Sequence, residues 1–230
     1  MKDAARIVVI TGFMGAGKTT VARALARLLA SRAIDLDDLI TAREGRTPRL
    51  IIDTHGEAHF REAETAALRL ALAQATGDAT AQSETPERST RATTTTDAPA
   101  ENYVPSVENA SAEKDASENA SVEKNAPSDS VPFIIALGGG TWTLERNRAL
   151  IARALSLTVW LDAPFDLCWQ RINSANATGT RPLAREREQA HALYRARLAL
   201  YSLAELRIAV AAGERAEMLA ARIASSIGSC

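Results

Sequence analysis

Gly12-Phe13-Met14-Gly15-Ala16-Gly17-Lys18-Thr19 meets the G-x-x-x-x-G-K-[ST] phosphate-loop pattern. Its flanks supply the required context. Ile7-Val8-Val9-Ile10 is an apolar run of the length of a buried parallel strand, and Val21, Leu25, Leu28 and Leu29 recur at helical spacing over residues 20–30. Between a strand and a helix, the three glycines let the chain turn tightly and aim successive N–H groups at phosphate oxygens. The positive end of the helix dipole points at the same anion. Lys18 adds a full charge, and the Thr19 hydroxyl suits a Mg²⁺ ion bridging the β- and γ-phosphates. The candidate nucleotide-binding residues here are Gly12, Met14, Gly15, Ala16, Gly17, Lys18, Thr19 and Thr20. The alternative is a glycine-rich turn with a solvated lysine.

The remainder of the 230-residue chain is consistent with one α/β domain. Hydrophobic residues make up 46% and aromatic residues only 4%, a balance that suits alanine-rich helices packed on a sheet better than a β-sandwich. The net charge is −1, and there are two cysteines, Cys168 and Cys230. No disulfide framework is indicated, no apolar run reaches membrane-spanning length, and a cytoplasmic protein is expected. Residues 78–130 differ from the rest: Ser, Thr, Ala, Asn, Glu and Pro dominate, and Leu, Ile, Phe, Met, Trp and Cys are absent. With 11 acids and 4 bases against a whole-chain charge of −1, this stretch leaves the remainder at +6. Such a composition cannot bury a core, so residues 78–130 read as a disordered acidic insert.

Along the chain, residues 33–38 read as a short strand ending in acids. The two-residue period places Asp35 and Asp37 on one side of it, facing the phosphate loop across the crevice at the carboxyl ends of parallel strands. Helix capping or ordinary surface acids are the alternatives. A helix over residues 56–76 carries Arg61 in its first turns. A cation there is locally unfavourable and asks for an anionic partner: Glu57, Glu64 or a ligand. Strands follow at residues 133–137, which run into Gly138-Gly139-Gly140, and at residues 158–161 and 207–210. Three successive glycines allow close backbone approach, or else form a flexible turn. Helices are expected over residues 144–155, from Ala163-Pro164 to Ile172, after Arg181-Pro182-Leu183 as far as about Tyr201, and over residues 214–227. The polar stretch around Arg181, residues 173–190, reads as a mobile lid.

Together the loop, Asp35-Leu36-Asp37, Gly56-Glu57 with Phe60-Arg61, Gly138-Gly139-Gly140, Val159-Trp160-Leu161, Arg181-Pro182-Leu183, and Arg197 with Leu200-Tyr201 resemble the shikimate kinase family in order and spacing. The resemblance spans nearly all of residues 5–228 outside the insert. It implies a three-layer P-loop kinase fold, with a five-stranded parallel sheet, helices on both faces and a lid. It also implies transfer of the γ-phosphoryl group of MgATP to the 3-hydroxyl of shikimate. Under it Asp35 supports Mg²⁺ together with Thr19, and Asp37 holds the attacking hydroxyl and accepts its proton. Arg61 and Arg197 hold the carboxylate, and the backbone of Gly138, Gly139 and Gly140 lies against the ring hydroxyls. Lys18, Asp37 and Arg181 are the catalytic residues, with Arg181 reaching the phosphates when the lid closes. Arg171 and Arg215 frame the adenine. Expected partners are ATP and shikimate, with no nucleic acid, no membrane and a monomeric state. The chain departs from the family in three ways. Leu36 stands between the aspartates where a hydroxyl residue is usual, the spacing around Arg181 is altered, and the insert replaces a brief connection.

Overall fold

The computed structural model describes residues 7–77, 132–176 and 187–227. The insert at 78–130, Arg181 and the middle of the lid region lie outside the described residues. Five parallel strands form one sheet in the order β2-β3-β1-β4-β5: β1 Ile7–Thr11, β2 Ala33–Asp35, β3 Phe133–Ala136, β4 Leu157–Asp162 and β5 Leu206–Ala209. β1 is central. Ile10 is in register with Ala136 on one side and Val159 on the other, and every residue of β1 is buried. A strand covered on both faces needs a continuous apolar run, which is why Ile7-Val8-Val9-Ile10 shows no alternation. The connections leave β1 toward β2 and β3 in one direction and toward β4 and β5 in the other. The chain therefore reverses its winding beside β1, and a crevice opens beyond the carboxyl end of that strand.

The helices cover both faces: α1 Lys18–Leu28, α2 Leu36–Glu44, α3 Pro48–Thr76, α4 Glu145–Arg153, α5 Phe165–Asn176, α6 Arg187–Tyr201 and α7 Ala216–Ile227. α1 and α7 pack together, whereas α3, α4 and α6 meet around a short 3₁₀ turn at Thr141–Thr143. No described helix is long and apolar enough to cross a membrane.

Three local expectations are corrected. β2 ends at Asp35, which caps α2 by accepting from the Asp37 and Asp38 amides at 2.9 and 3.3 Å. Asp37 is therefore in the first turn of a helix, and the two-residue strand period is not what brings it to the crevice. The cap competes with the strand and wins because it satisfies two helix-start N–H groups at once. Leu36 turns fully into the core, so the missing hydroxyl leaves a packed side chain rather than a gap.

The helix expected from Gly56 begins eight residues earlier, at Pro48, and breaks at Gly56 (φ 83°, ψ 167°). Its start signal was present in Thr47-Pro48: the threonine hydroxyl accepts from the Leu50 amide at 3.4 Å, and proline at the first position loses no hydrogen bond. At the lid, α5 continues to Asn176, beyond its expected end near Ile172, and α6 has begun by Arg187. The described ends of the expected lid region are thus helical.

Candidate active site

The phosphate loop lies at the carboxyl end of β1, and its glycines are there for space as well as for conformation. Gly15 has φ 78°, and a Cβ on it would meet the Cys168 carbonyl oxygen at 2.5 Å. Gly17, in the left-handed region, caps α1 without help from a side chain. That leaves the first-turn N–H groups of α1 directed at the crevice. Lys18 is buried and its Nζ donates to the Phe13 carbonyl at 3.1 Å, which holds the ammonium over the loop. Arg171 of α5 closes the other side by donating to the Gly15 and Ala16 carbonyls at 3.3 and 3.2 Å. Beneath this end of the cavity, burial pushes the Cys168 thiol up to about 11, only partly countered by Lys18 and Arg171.

Thr19 and Asp35 stand together, with the threonine Oγ1 donating to Asp35 Oδ2 at 2.5 Å. The other carboxylate oxygen is taken by the α2 cap. A hydroxyl and a carboxylate oxygen, both hard donors, thus adjoin at the phosphate end. Mg²⁺ is held by one or two carboxylates plus phosphate oxygens, so this donor set fits it without a larger protein cage.

A cavity of about 580 Å³ extends from the loop to a second wall. Met14, Gly15, Gly17, Lys18, Thr19, Thr20, Asp35 and Arg171 line it at the loop end, and Asp37, Arg61, Glu64, Gly138, Gly139, Gly140 and Arg197 beyond. Among the described residues, the buried charged side chains are Lys18, Glu64 and Arg197, and all three line this cavity. Burying charge is costly unless it is paired or used, so their convergence marks the site more strongly than any one of them.

Arg61 is answered from its own helix. Its Nη1 donates to Glu64 Oε2 at 2.5 Å and its Nη2 to Glu57 Oε1 at 2.8 Å. Burial works against its charge, but Glu64 and then Glu57 more than offset this and hold its pKa above the ordinary arginine value. The intrahelical ion pair and a place in the cavity therefore coexist. Arg197 of α6 donates to the Gly139 carbonyl at 3.0 Å, and the Tyr201 hydroxyl donates to the same oxygen at 2.6 Å.

The three-glycine turn passes between these groups. A Cβ on Gly138 would come 2.9 Å from Asp37 Oδ1 and 3.0 Å from Glu64 Oε1, and one on Gly140 would run into the Arg61 guanidinium. Close approach explains the glycines better than a flexible turn does, because β3 and the 3₁₀ turn hold them at both ends.

Two groups of residues were not anticipated at this wall. From sequence Glu64 is only an ion-pair candidate for Arg61, and its position at the wall is set by packing that no local pattern reveals. Thr47, Pro48, Arg49 and Ile52 also line the cavity, brought there by the first segment of α3. Arg215 is displaced from the cavity: its side chain is 78% exposed and lies 3.6 Å from Glu217. Gly12 and Ala16 support the loop without lining the cavity. A more open depression of about 630 Å³ between α6 and β5 carries the Asp162–Arg207 ion pair and is separate from the loop.

A phosphate loop at the switch point, facing a wall of arginines and close-packed glycines, defines a P-loop phosphotransferase that acts on a small anionic acceptor. The family model described as shikimate kinase matches residues 14–96 and 107–228. The shikimate kinase of Cereibacter sphaeroides is 29% identical over 226 residues, covering 96% of this chain and 82% of that enzyme. That of Geobacter sulfurreducens is 53% identical over 64 residues, covering 28% of this chain and 35% of that enzyme's length. A solved structure of shikimate kinase from Acinetobacter baumannii in complex with shikimate superimposes with a TM-score of 0.68. At 24% identity it covers 99% of this chain and 95% of its own, a likeness of fold. The chain belongs to the shikimate kinase family. Members are phosphotransferases that use ATP on an alcohol group.

Proposed function

We infer that this chain transfers the γ-phosphoryl group of ATP to the 3-hydroxyl of shikimate. The observation that carries this reading is one cavity with a phosphate loop at one end and, facing it, Asp37, Arg61, Arg197 and the Gly138 to Gly140 backbone. Family membership and the shikimate bound to the Acinetobacter relative support the choice of acceptor.

Phosphoryl transfer passes through a loose transition state, so the protein's contribution is positioning and charge neutralisation. The loop amides and Lys18 hold the transferred phosphate. Thr19 and Asp35 are the residues that would hold Mg²⁺, which, when bound, neutralises the β- and γ-phosphate oxygens. Asp37, on the first turn of α2, accepts a hydrogen bond from the attacking hydroxyl and takes its proton as the bond to phosphorus forms. Arg61 and Arg197 grip the carboxylate. A planar guanidinium pairs with both carboxylate oxygens, which an ammonium cannot do. Arg171 flanks the nucleotide, whereas Arg181, outside the described residues, takes its role at the phosphates from the resemblance alone. A monomeric protein of the cytoplasm is part of the same reading.

A coupled assay with ATP, Mg²⁺ and shikimate tests it, with the product's phosphate position read by NMR. ADP release that depends on shikimate, with phosphate on the 3-oxygen, is expected. Absence of release, or another small acid outperforming shikimate by a large factor in kcat/KM, would overturn it.

A further inference from the structure

Arg61 is backed by a hydrogen-bonded layer that begins with Glu64 at the cavity wall and continues through Thr141, Asn147 and Thr65 into the core. Glu64 is 1% exposed and each of its carboxylate oxygens has one partner: Oε2 accepts from Arg61 Nη1 at 2.5 Å, and Oε1 accepts from the Thr141 hydroxyl at 2.7 Å. Thr141 is fully buried at the start of the 3₁₀ turn that follows the three glycines. Its carbonyl accepts from Asn147 Nδ2 at 3.0 Å, while Asn147 Oδ1 accepts from the Thr65 hydroxyl at 3.0 Å. Thr65 lies within 3.0 Å of the Arg61 carbonyl, so the chain of contacts returns to the residue it began on.

We propose that Thr141 is a positioning residue for carboxylate recognition: its hydroxyl holds Glu64 with one oxygen turned away from Arg61, so that the guanidinium keeps a free fork for the acceptor's carboxylate. This rests on the reading that Arg61 binds that carboxylate.

A guanidinium has five N–H donors in a fixed plane. Glu64 and Glu57 take one each, from Nη1 and Nη2. One N–H is left on each of those two nitrogens and the Nε–H besides, donors that a second carboxylate can use. A glutamate beside an arginine tends toward the same fork pairing for itself. Here the Thr141 hydroxyl occupies the oxygen that would complete that pairing. Without it, Oε1 is buried with no donor and its nearest remedy is a second Arg61 N–H, which is taken from the acceptor. Asn147 fixes the Thr141 backbone, and the turn that presents Thr141 is continuous with the glycines against the ring. The carboxylate grip and the ring-hydroxyl wall are thereby set by one hydrogen-bonded unit.

The test compares Thr141→Val, Thr141→Ser and Arg61→Ala with the wild-type enzyme. Readouts are KM and kcat for shikimate, KM for ATP, the thermal midpoint, and the inhibition constant of shikimate methyl ester, which keeps the ring and loses the anion. Thr141→Val is expected to raise KM for shikimate about tenfold with kcat and ATP KM little changed. The ester's inhibition constant should stay put, and Thr141→Ser should restore the wild-type KM. In the Arg61→Ala background, Thr141→Val should add nothing. Equal weakening of acid and ester, or no change in the acid's KM, overturns the proposal. Should the valine variant not fold, Thr141→Ala is read by the same criteria. If Arg61→Ala itself leaves shikimate's KM unchanged, the assignment of Arg61 has failed and takes the proposal with it. An effect of Arg61→Ala without one of Thr141→Val sinks the proposal alone.

Discussion

The two ends of the cavity are built in opposite ways. On the proposed reading, the phosphate end takes its binding groups from the one segment Gly12 to Thr19, largely from the backbone, with a conformation set by glycines and by the start of α1. At the end proposed for the acceptor, Asp37, Arg61, Gly138 to Gly140 and Arg197 line the cavity from four separated segments, three of them contributing side chains. A contiguous backbone cradle accepts any polyphosphate, whereas a wall assembled from distant elements can match one acceptor. Generality and selectivity are thus divided between local and tertiary construction.

The comparison breaks first at Lys18. Lys18→Ala should lower kcat/KM by about 10³ or more, because a buried charge aimed at the transferring phosphate is lost. Steady-state kinetics check this, and the thermal midpoint should barely move. Next comes Asp37→Asn, which keeps shape and removes the proton acceptor. kcat should fall about 10²- to 10⁴-fold with KM for ATP unchanged. Near wild-type turnover would remove Asp37 from its role.

Arg61→Ala should act on the other parameter. Loss of charge-assisted hydrogen bonds to a carboxylate predicts an increase of about 10- to 100-fold in KM for the acid, with KM for ATP steady. A parallel rise in both constants would mean that the two ends are not separately built. The last effect falls on stability rather than on kinetics and belongs to the support behind the wall. Burial pushes the Tyr201 hydroxyl up to about 12 from its usual 10.0, with Arg197 pulling the other way. The folded pKa is the higher one, so the stabilisation is complete below pH 10 and is lost as pH rises toward 12. It amounts to roughly 2 to 3 kcal/mol. Denaturant midpoints of wild type and Tyr201→Phe, measured from pH 9 to 12, should converge across that window. A constant difference would show that the phenol's proton plays no part.

Much of the fold was legible because it obeys local rules. Buried parallel strands need unbroken apolar runs, and β1, β3 and β4 follow that rule closely, whereas the edge strand β5 carries the exposed Arg207 and has only Ile208 buried. β2 was misread in length because Asp35 serves two purposes, ending a strand and capping a helix, and the cap is the stronger local bond. The Pro48 start of α3 was overlooked although Thr47-Pro48 announces it. Gly56 is a break within a helix rather than its beginning, since a positive φ interrupts a helix without ending the elements on either side. Arg215, placed beside the adenine only by the family resemblance, is exposed and lies outside the lining of the cavity.

By itself, the sequence determined that this protein binds a nucleotide phosphate, because G-x-x-x-x-G-K-T between a strand and a helix is a complete device within one short segment. It also supplied the aspartates, arginines and glycines whose order resembles one family. Only the tertiary structure decided what those residues face. It put Asp37 on a helix turn against Gly138, packed Glu64 and Thr141 behind Arg61, and turned Leu36 into the core. The reason is physical: backbone cradles are specified by dihedral preferences of neighbouring residues, whereas a side-chain wall depends on which helices the core brings together.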